Sequence, residues 1–198
     1  MSRVFLLSPA HSGGKRAAML TRPGASFELA RQVQIGAATL GDVFTFCSGL
    51  YFRGKLTYAR HFAESPSAVR IITPSRGLVT ADTLVGPRDL AEFAEVAVDS
   101  TEPRFTAPLK TTSLELAAAC SSEVIFLGSV ATGKYIDTLL PIFGARLLFP
   151  AEFAGRGDMS RGALLLRAVA AGTELCYVPV QPLRRAQARK ERPTDCTH

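Results

Sequence analysis

The sequence predicts a three-layer α/β/α domain with a central, mostly parallel sheet of four or five strands. Short segments that are apolar on both faces alternate along the chain with helix-like segments. Strands of parallel sheets have this composition because helices cover both of their faces, and such alternation produces right-handed crossovers between parallel strands. The 198 residues, 47% of them hydrophobic, are enough to bury a core of this kind.

The predicted strands are short apolar runs bounded by glycine, proline or polar residues. They are Val4–Leu7, Val69–Thr73, Val124–Leu127, Leu147–Phe149 and Leu175–Val180.

The predicted helices lie between these strands, and local signals set some of their ends. Thr112 and Glu115 have the spacing of a capping box, which predicts a helix start there. Pro141 is expected to end or kink the fifth helix, and Gly172 to stop the last one. The segment Asp99–Pro108, with two prolines, is predicted to be a loop. The helices are Ser26–Ile35, Phe52–Ala63, Arg88–Glu95, Ser113–Cys120, Lys134–Leu140 and Arg161–Ala171.

Composition indicates a single domain over residues 1–180, followed by a basic, disordered tail over residues 181–198. Five basic and two acidic residues in the tail supply half of the net charge of +6.

The least charged stretch, residues 35–52, contains Asp42 and three glycines and is a poor membrane span. Four separated cysteines without a CxxC pair fit a reducing cytoplasm, and with three dispersed histidines they predict no metal site. No cofactor is predicted.

Glycine-rich, cationic segments follow four of the predicted strands, at residues 8–16, 73–77, 128–134 and 155–162. The carboxyl ends of parallel strands meet at one edge of a sheet, where ligands of open α/β folds bind. Small residues let backbone N–H groups approach a ligand, and lysine and arginine supply positive charge. These loops therefore predict an anion-binding cleft. The residues predicted to bind the anion are Ser8, Lys15, Arg76, Ser129, Lys134, Arg156 and Arg161.

Two residues in these loops are candidates for proton transfer. Histidine side chains in general ionise near neutral pH, so His11 is a candidate general acid or base; the alternative is a hydrogen-bonded structural role. Asp158 is a candidate base, and the alternative is a helix cap. The segment Gly128–Lys134 fits the frame of a phosphate-binding P-loop, but Tyr135 stands where a serine or threonine would hold magnesium, which argues against a nucleoside triphosphatase.

Three segments together carry a resemblance to a known family. They are Leu50–Lys55, Val69–Leu78 and Gly157–Gly162. Their succession resembles an uncharacterised bacterial branch of the uracil-DNA-glycosylase-like α/β superfamily, and is similar in outline to the accessory domain of archaeosine synthase. The resemblance implies a three-layer fold and a ligand linked to nucleobases or nucleic acid. The first loop lacks the acidic motif of uracil-DNA glycosylases and the last lacks their histidine, so uracil excision is not expected.

These observations predict an enzyme that acts on a nucleotide, a nucleobase or a nucleic acid. Lysine and arginine would bind the anion, while His11 or Asp158 would move a proton. Two other classes stay open at this point. One is a non-catalytic nucleotide or nucleic-acid binding module, and the other is a protein-interaction domain whose glycine-rich loops are tight turns.

Overall fold

A computed structural model describes residues 3–181 of the chain, and these residues form eight strands and eight α-helices. In chain order the strands are β1 (Arg3–Leu7), β2 (Ala38–Thr39), β3 (Val69–Thr73), β4 (Gly77–Thr80), β5 (Leu84–Val85), β6 (Glu123–Leu127), β7 (Leu147–Pro150) and β8 (Tyr177–Pro179). The helices are α1 (Lys15–Thr21), α2 (Glu28–Gln34), α3 (Leu40–Ser48), α4 (Leu50–Phe62), α5 (Pro87–Glu95), α6 (Pro103–Ala119), α7 (Gly133–Phe143) and α8 (Asp158–Ala171).

Six strands form the central sheet, in the order β4-β3-β1-β6-β7-β8. The four inner strands run parallel, and the two edge strands, β4 and β8, run antiparallel to their neighbours. The short strands β2 and β5 form a separate antiparallel pair. The predicted mostly parallel sheet is confirmed. It has a sixth strand because β4 returns along β3 after a turn of only three residues.

Helices cover both faces of the sheet, as the doubly apolar strands predict. Alternate residues of β1 point to opposite faces. Phe5 and Leu7 enter a core shared with α1 to α5 and α8, whereas Val4 and Leu6 enter a core shared with α6 and α7. The architecture is therefore three-layer α/β/α. Within residues 3–181, no helix combines the length and apolar character needed to cross a membrane.

The predicted start of a helix at Thr112 is wrong, and so is the prediction that all of Asp99–Pro108 is loop. Helix α6 begins at Pro103, a favourable first position, with the Glu102 side chain accepting a hydrogen bond from a backbone N–H of the first turn. Pro108 lies inside this helix. Thr112 does not cap it: its hydroxyl donates to the Pro108 carbonyl (2.9 Å) and accepts from Leu78 N of β4 (2.9 Å).

Two further helix ends bear on the predictions. Helix α7 continues through Pro141 to Phe143, so the proline does not end it. Helix α8 ends at Gly172, which adopts the left-handed conformation, as predicted. The helices α1 and α3 were not predicted. The predicted tail lies outside the described residues from position 182 onward.

Candidate active site at the carboxyl edge of the sheet

The topology places the predicted loops at one edge of the sheet. Because β1, β3, β6 and β7 are parallel, the segments that follow them all leave from their carboxyl ends. The chain passes from β1 to β3 on one side and later returns to β6 on the other side of β1. The position between β1 and β6 is therefore the topological switch point, where open α/β sheets bind ligands.

A buried lysine and a serine meet at this point. Ser8 directly follows β1, is 7% exposed, and donates its backbone N–H to the carbonyl of Leu127 at the end of β6 (3.4 Å). Lys55 of α4 is 1% exposed. Its Nζ lies 2.6 Å from the Ser8 carbonyl oxygen and 2.9 Å from Ser8 Oγ. The same nitrogen lies over the aromatic rings of Tyr51 and Phe52, at 4.5 and 4.8 Å from their centroids.

Lys55 has no carboxylate partner at ion-pair distance within the part of the chain that the structure describes. A buried ammonium without a counter-ion is unfavourable, so its proton is released at a lower pH than in water. Burial lowers the pKa of Lys55 to about 7, and the negative charge of Asp158 offsets part of this effect. Near neutral pH, a large fraction of this amine is therefore uncharged and able to accept a proton.

Arg161 lies next to the same cluster, beside Tyr51. Its side chain is 14% exposed, packs over the Phe153 ring (5.3 Å) and donates from Nε and Nη2 to the Phe153 carbonyl (3.3 and 3.2 Å). Asp158, one helical turn before it, is exposed and lies 3.9 Å away. The carboxylate is too distant for a short ion pair, so the positive charge of Arg161 remains available to an anion at this edge.

Two buried tyrosines, Tyr51 and Tyr135, also belong to the cluster. Burial raises the pKa of Tyr51 to about 12, although the nearby charge of Arg161 opposes the shift. Burial, with Tyr51 and Asp158 nearby, also raises the pKa of Tyr135. The Tyr135 ring packs against Phe126 (5.4 Å) and Phe105 (6.1 Å), so the position that follows Lys134 belongs to the core. In a P-loop this position carries a hydroxyl that binds magnesium, whereas here Tyr135 packs into the core.

A contact between two glycines brings Lys55 and Arg161 together. Gly54 of α4 and Gly162 of α8 face each other so closely that a Cβ on Gly54 would lie 2.7 Å from the Gly162 carbonyl oxygen. A Cβ on Gly162 would lie 2.8 Å from the Leu50 carbonyl oxygen. Small residues allow helix backbones to approach in this way. Lys55 directly follows Gly54 and Arg161 directly precedes Gly162, so this contact brings the two basic residues of the candidate site to the same place.

The remaining predicted residues lie around this cluster. His11 is exposed, with its ring against the backbone of Gly14, and Lys15 is exposed at the start of α1. Ser129 accepts a weak hydrogen bond from the N–H of Ala131 (3.4 Å). Lys134 is half-buried in the first turn of α7.

Two predicted arginines are held by other groups. Arg156 donates to the Glu152 carbonyl (2.9 Å) and to Ser160 Oγ in the first turn of α8 (3.2 Å). Arg76 pairs with Asp89 (2.6 Å) and with Glu92 of α5, and these contacts raise its pKa. Through these ion pairs Arg76 connects the β3–β4 turn to α5. Its role as an anion ligand stays a prediction.

A small cavity of about 270 Å³ adjoins the loop after β1. Its walls are mainly small or apolar, from Ala17, Leu90 and Ala94 among others, and the backbone of Gly13 and Gly14 forms one side. Ser12 also lines it, and the Ser12 hydroxyl is buried without a hydrogen-bond partner. A buried polar atom without a partner is unfavourable, so the Ser12 hydroxyl is an unsatisfied polar group beside this cavity.

The comparisons with known proteins add nothing to this description: no protein-family model, curated protein or solved structure matches the chain. Among the described residues, no group of three or more histidine, cysteine, aspartate or glutamate side chains is arranged to hold a metal ion. The functional proposal therefore depends on the chemistry of the residues themselves.

Sequence reasoning selected Ser8, Asp158 and Arg161 of this cluster but missed Lys55, Tyr51 and Tyr135 as site residues. One signal was present. In α4 the buried positions recur with helical spacing, and Lys55 falls on this apolar stripe beside Phe52, Leu56 and Ala59. A lysine on an apolar stripe indicates either a side chain that extends to solvent or a buried functional amine.

Proposed function

We propose that the chain is an enzyme acting on an anionic substrate that contains a nucleobase, namely a nucleotide or a nucleic acid. The proposal is carried by one observation: a buried lysine without a counter-ion contacts Ser8 at the topological switch point, beside a second cation, Arg161. Buried titratable groups with shifted pKa values cluster at active sites because catalysis needs them. An uncharged amine and a cation together can move a proton and bind an anion.

The surroundings support this substrate class. Arg161 offers a guanidinium suited to phosphate oxygens. The cavity beside Ser12 has small, apolar walls and one unpaired hydroxyl, features that suit a flat base with a polar edge. His11 and Asp158 are exposed at the same edge, and we propose that they exchange protons between the site and the bulk solvent. The resemblance of the three loop segments implies the same ligand class.

We also propose that the protein acts in the cytoplasm. Cys47, Cys120 and Cys176 are free thiols in the described part of the chain. Free thiols are typical of proteins in reducing compartments.

A thermal-shift experiment tests the proposed ligand class. Nucleoside monophosphates, short single-stranded DNA and RNA, and inorganic phosphate are added in turn to the parent protein. Ligands that bind only the native state stabilise it by mass action, so one class is expected to raise the Tm by about 5–10 °C at a concentration roughly 100 times its Kd. Arg161→Gln is expected to lose most of this shift because it removes the positive charge at the site.

Arg167→Gln is the matched control, since Arg167 lies six residues later on the same helix and is exposed. It is expected to respond as the parent does. An Arg161→Gln protein that responds fully, or a parent that responds to none of these anions, would contradict the proposal. Conversion of the stabilising ligand to a product distinguishes an enzyme from a non-catalytic binding module.

A further inference from the structure

The Lys55 amine contacts both the main chain and the side chain of Ser8. The Lys55 amine donates to the Ser8 carbonyl oxygen at 2.6 Å and to Ser8 Oγ at 2.9 Å, while the Ser8 hydroxyl donates to the Leu127 carbonyl in a long hydrogen bond of 3.4 Å, from which it can rotate toward the amine. The uncharged amine has a lone pair as well as N–H groups. It can therefore hold the Ser8 main chain with an N–H and accept the hydroxyl proton of Ser8 through the lone pair.

Ser8 and Lys55 lie where a nucleophile and its base could reach a bound substrate. Ser8 is the first residue after β1, at the carboxyl edge where a substrate would bind. A serine hydroxyl is a weak nucleophile unless a base within hydrogen-bond distance removes its proton. Tyr51 links this pair to Arg161, because Lys55 Nζ lies over its ring and Arg161 interacts electrostatically with its hydroxyl.

We propose that Ser8 is a nucleophile and Lys55 its general base, and that together they cleave a phosphate ester through a phosphoserine intermediate. This inference rests on the proposed function for its substrate class. Arg161 favours a phosphoryl group over an uncharged acyl group, because its guanidinium would stabilise negative charge on the phosphoryl oxygens.

The reaction balances without an oxidant, a reductant or a metal. In the first step Ser8 Oγ forms a bond to phosphorus, and the bond between phosphorus and the ester oxygen breaks. Lys55 takes the hydroxyl proton, and the departing alkoxide leaves as an alcohol after it receives this proton. In the second step a water oxygen attacks phosphorus, Lys55 takes a proton from the water, and Ser8 leaves with that proton, which releases a phosphate.

A small phosphorofluoridate ester tests the nucleophile directly. Diisopropyl fluorophosphate is added to the folded full-length chain, where an activated serine oxygen forms a bond to phosphorus and fluoride leaves. Mass spectrometry is expected to find one adduct per chain, on Ser8. Ser8→Ala is expected to remove it. Ser113→Ala is the matched control, since Ser113 is also buried but lies on α6, outside the site, and its labelling rate is expected to equal that of the parent.

Two further readouts assign the role of Lys55. Lys55→Met keeps an unbranched side chain as far as Cε and removes the amine, and it is expected to slow labelling of Ser8 by at least about 100-fold. In the parent, the labelling rate is expected to rise with pH, with its midpoint at about pH 7, and then to level off as the amine loses its proton. Tyr51, against which the amine packs, and Asp158, whose charge acts on it, are the other titratable groups in its surroundings. The pH profile keeps the proposal testable if Lys55→Met does not fold.

The outcomes separate this inference from the proposed function. A parent protein that is not labelled on Ser8, or a labelling rate that does not change between pH 5 and 9, would overturn the Ser8–Lys55 pair. This holds even if nucleotides raise the Tm. Labelling of Ser8 without any response to nucleotides or phosphate would support the pair and overturn the substrate class.

Discussion

Replacement of Gly77 by alanine is expected to lower the free energy of unfolding by about 3–5 kcal/mol. Gly77 begins β4 with φ +64°, a conformation that side chains with a Cβ rarely adopt. In addition, a Cβ there would lie 2.2 Å from Thr112 Oγ1 and 2.3 Å from the Pro108 carbonyl oxygen, both on α6. The substitution therefore combines backbone strain with a collision that α6 relieves only by moving away from the sheet.

Urea unfolding of the parent and of two variants measures this effect. Gly172→Ala is the matched control, because Gly172 has φ +61° but nothing within 4 Å of an added Cβ. It is expected to cost only the backbone term, about 1–2 kcal/mol. Equal losses in the two variants would show that the close approach between Gly77 and α6 contributes nothing to stability.

Replacement of Gly162 by alanine is expected to lower the free energy of unfolding by about 1–3 kcal/mol and to weaken anion binding. In an isolated helix this change is stabilising by up to about 1 kcal/mol, so the sign of the effect reports on packing. The new methyl group would meet the backbone of Leu50 and Tyr51 at 2.8–2.9 Å. Helix α8 would have to move away from α4 and would carry Arg161 out of the site.

Gly157→Ala serves as the control for Gly162→Ala. Gly157 caps the same helix, has φ −80°, and has open space where a Cβ would be. Its variant is expected to keep the stability of the parent to within about 0.5 kcal/mol and to keep the thermal response to nucleotides. If Gly162→Ala unfolds at the same urea concentration as Gly157→Ala, the contact between α4 and α8 does not position the site.

The sequence predicted the fold well where burial alone decides the structure. The inner strands are apolar on both faces because two helix layers cover them, and this property is readable from residues such as those of β6. The start of α6 was missed because two prolines resemble a loop. One of them, Pro103, occupies the first helical position, where its missing N–H has no cost.

The sequence indicated which loops share an edge of the sheet, but it did not indicate Lys55, the central residue of the candidate site. The loops after parallel strands had to leave from one edge, which placed Ser8, Asp158 and Arg161 near each other. Lys55 lies on a helix interior, and only the close packing of α4 against the sheet brings its amine to Ser8. The pairing of Arg76 with Asp89 and Glu92 was equally hidden, because it depends on how α5 folds back onto the β3–β4 turn.

Titration of the lysine side chains by NMR tests the central claim, that a buried and partly uncharged Lys55 forms the chemical centre of this edge. The chain has only five lysines, so ¹³Cε-labelled lysine gives a simple spectrum. One signal is expected to titrate with a midpoint at about pH 7, to be absent from Lys55→Met, and to shift when the stabilising nucleotide is added. If every lysine signal keeps its charged position up to about pH 9, Lys55 is an ordinary ammonium and the proposed base does not exist.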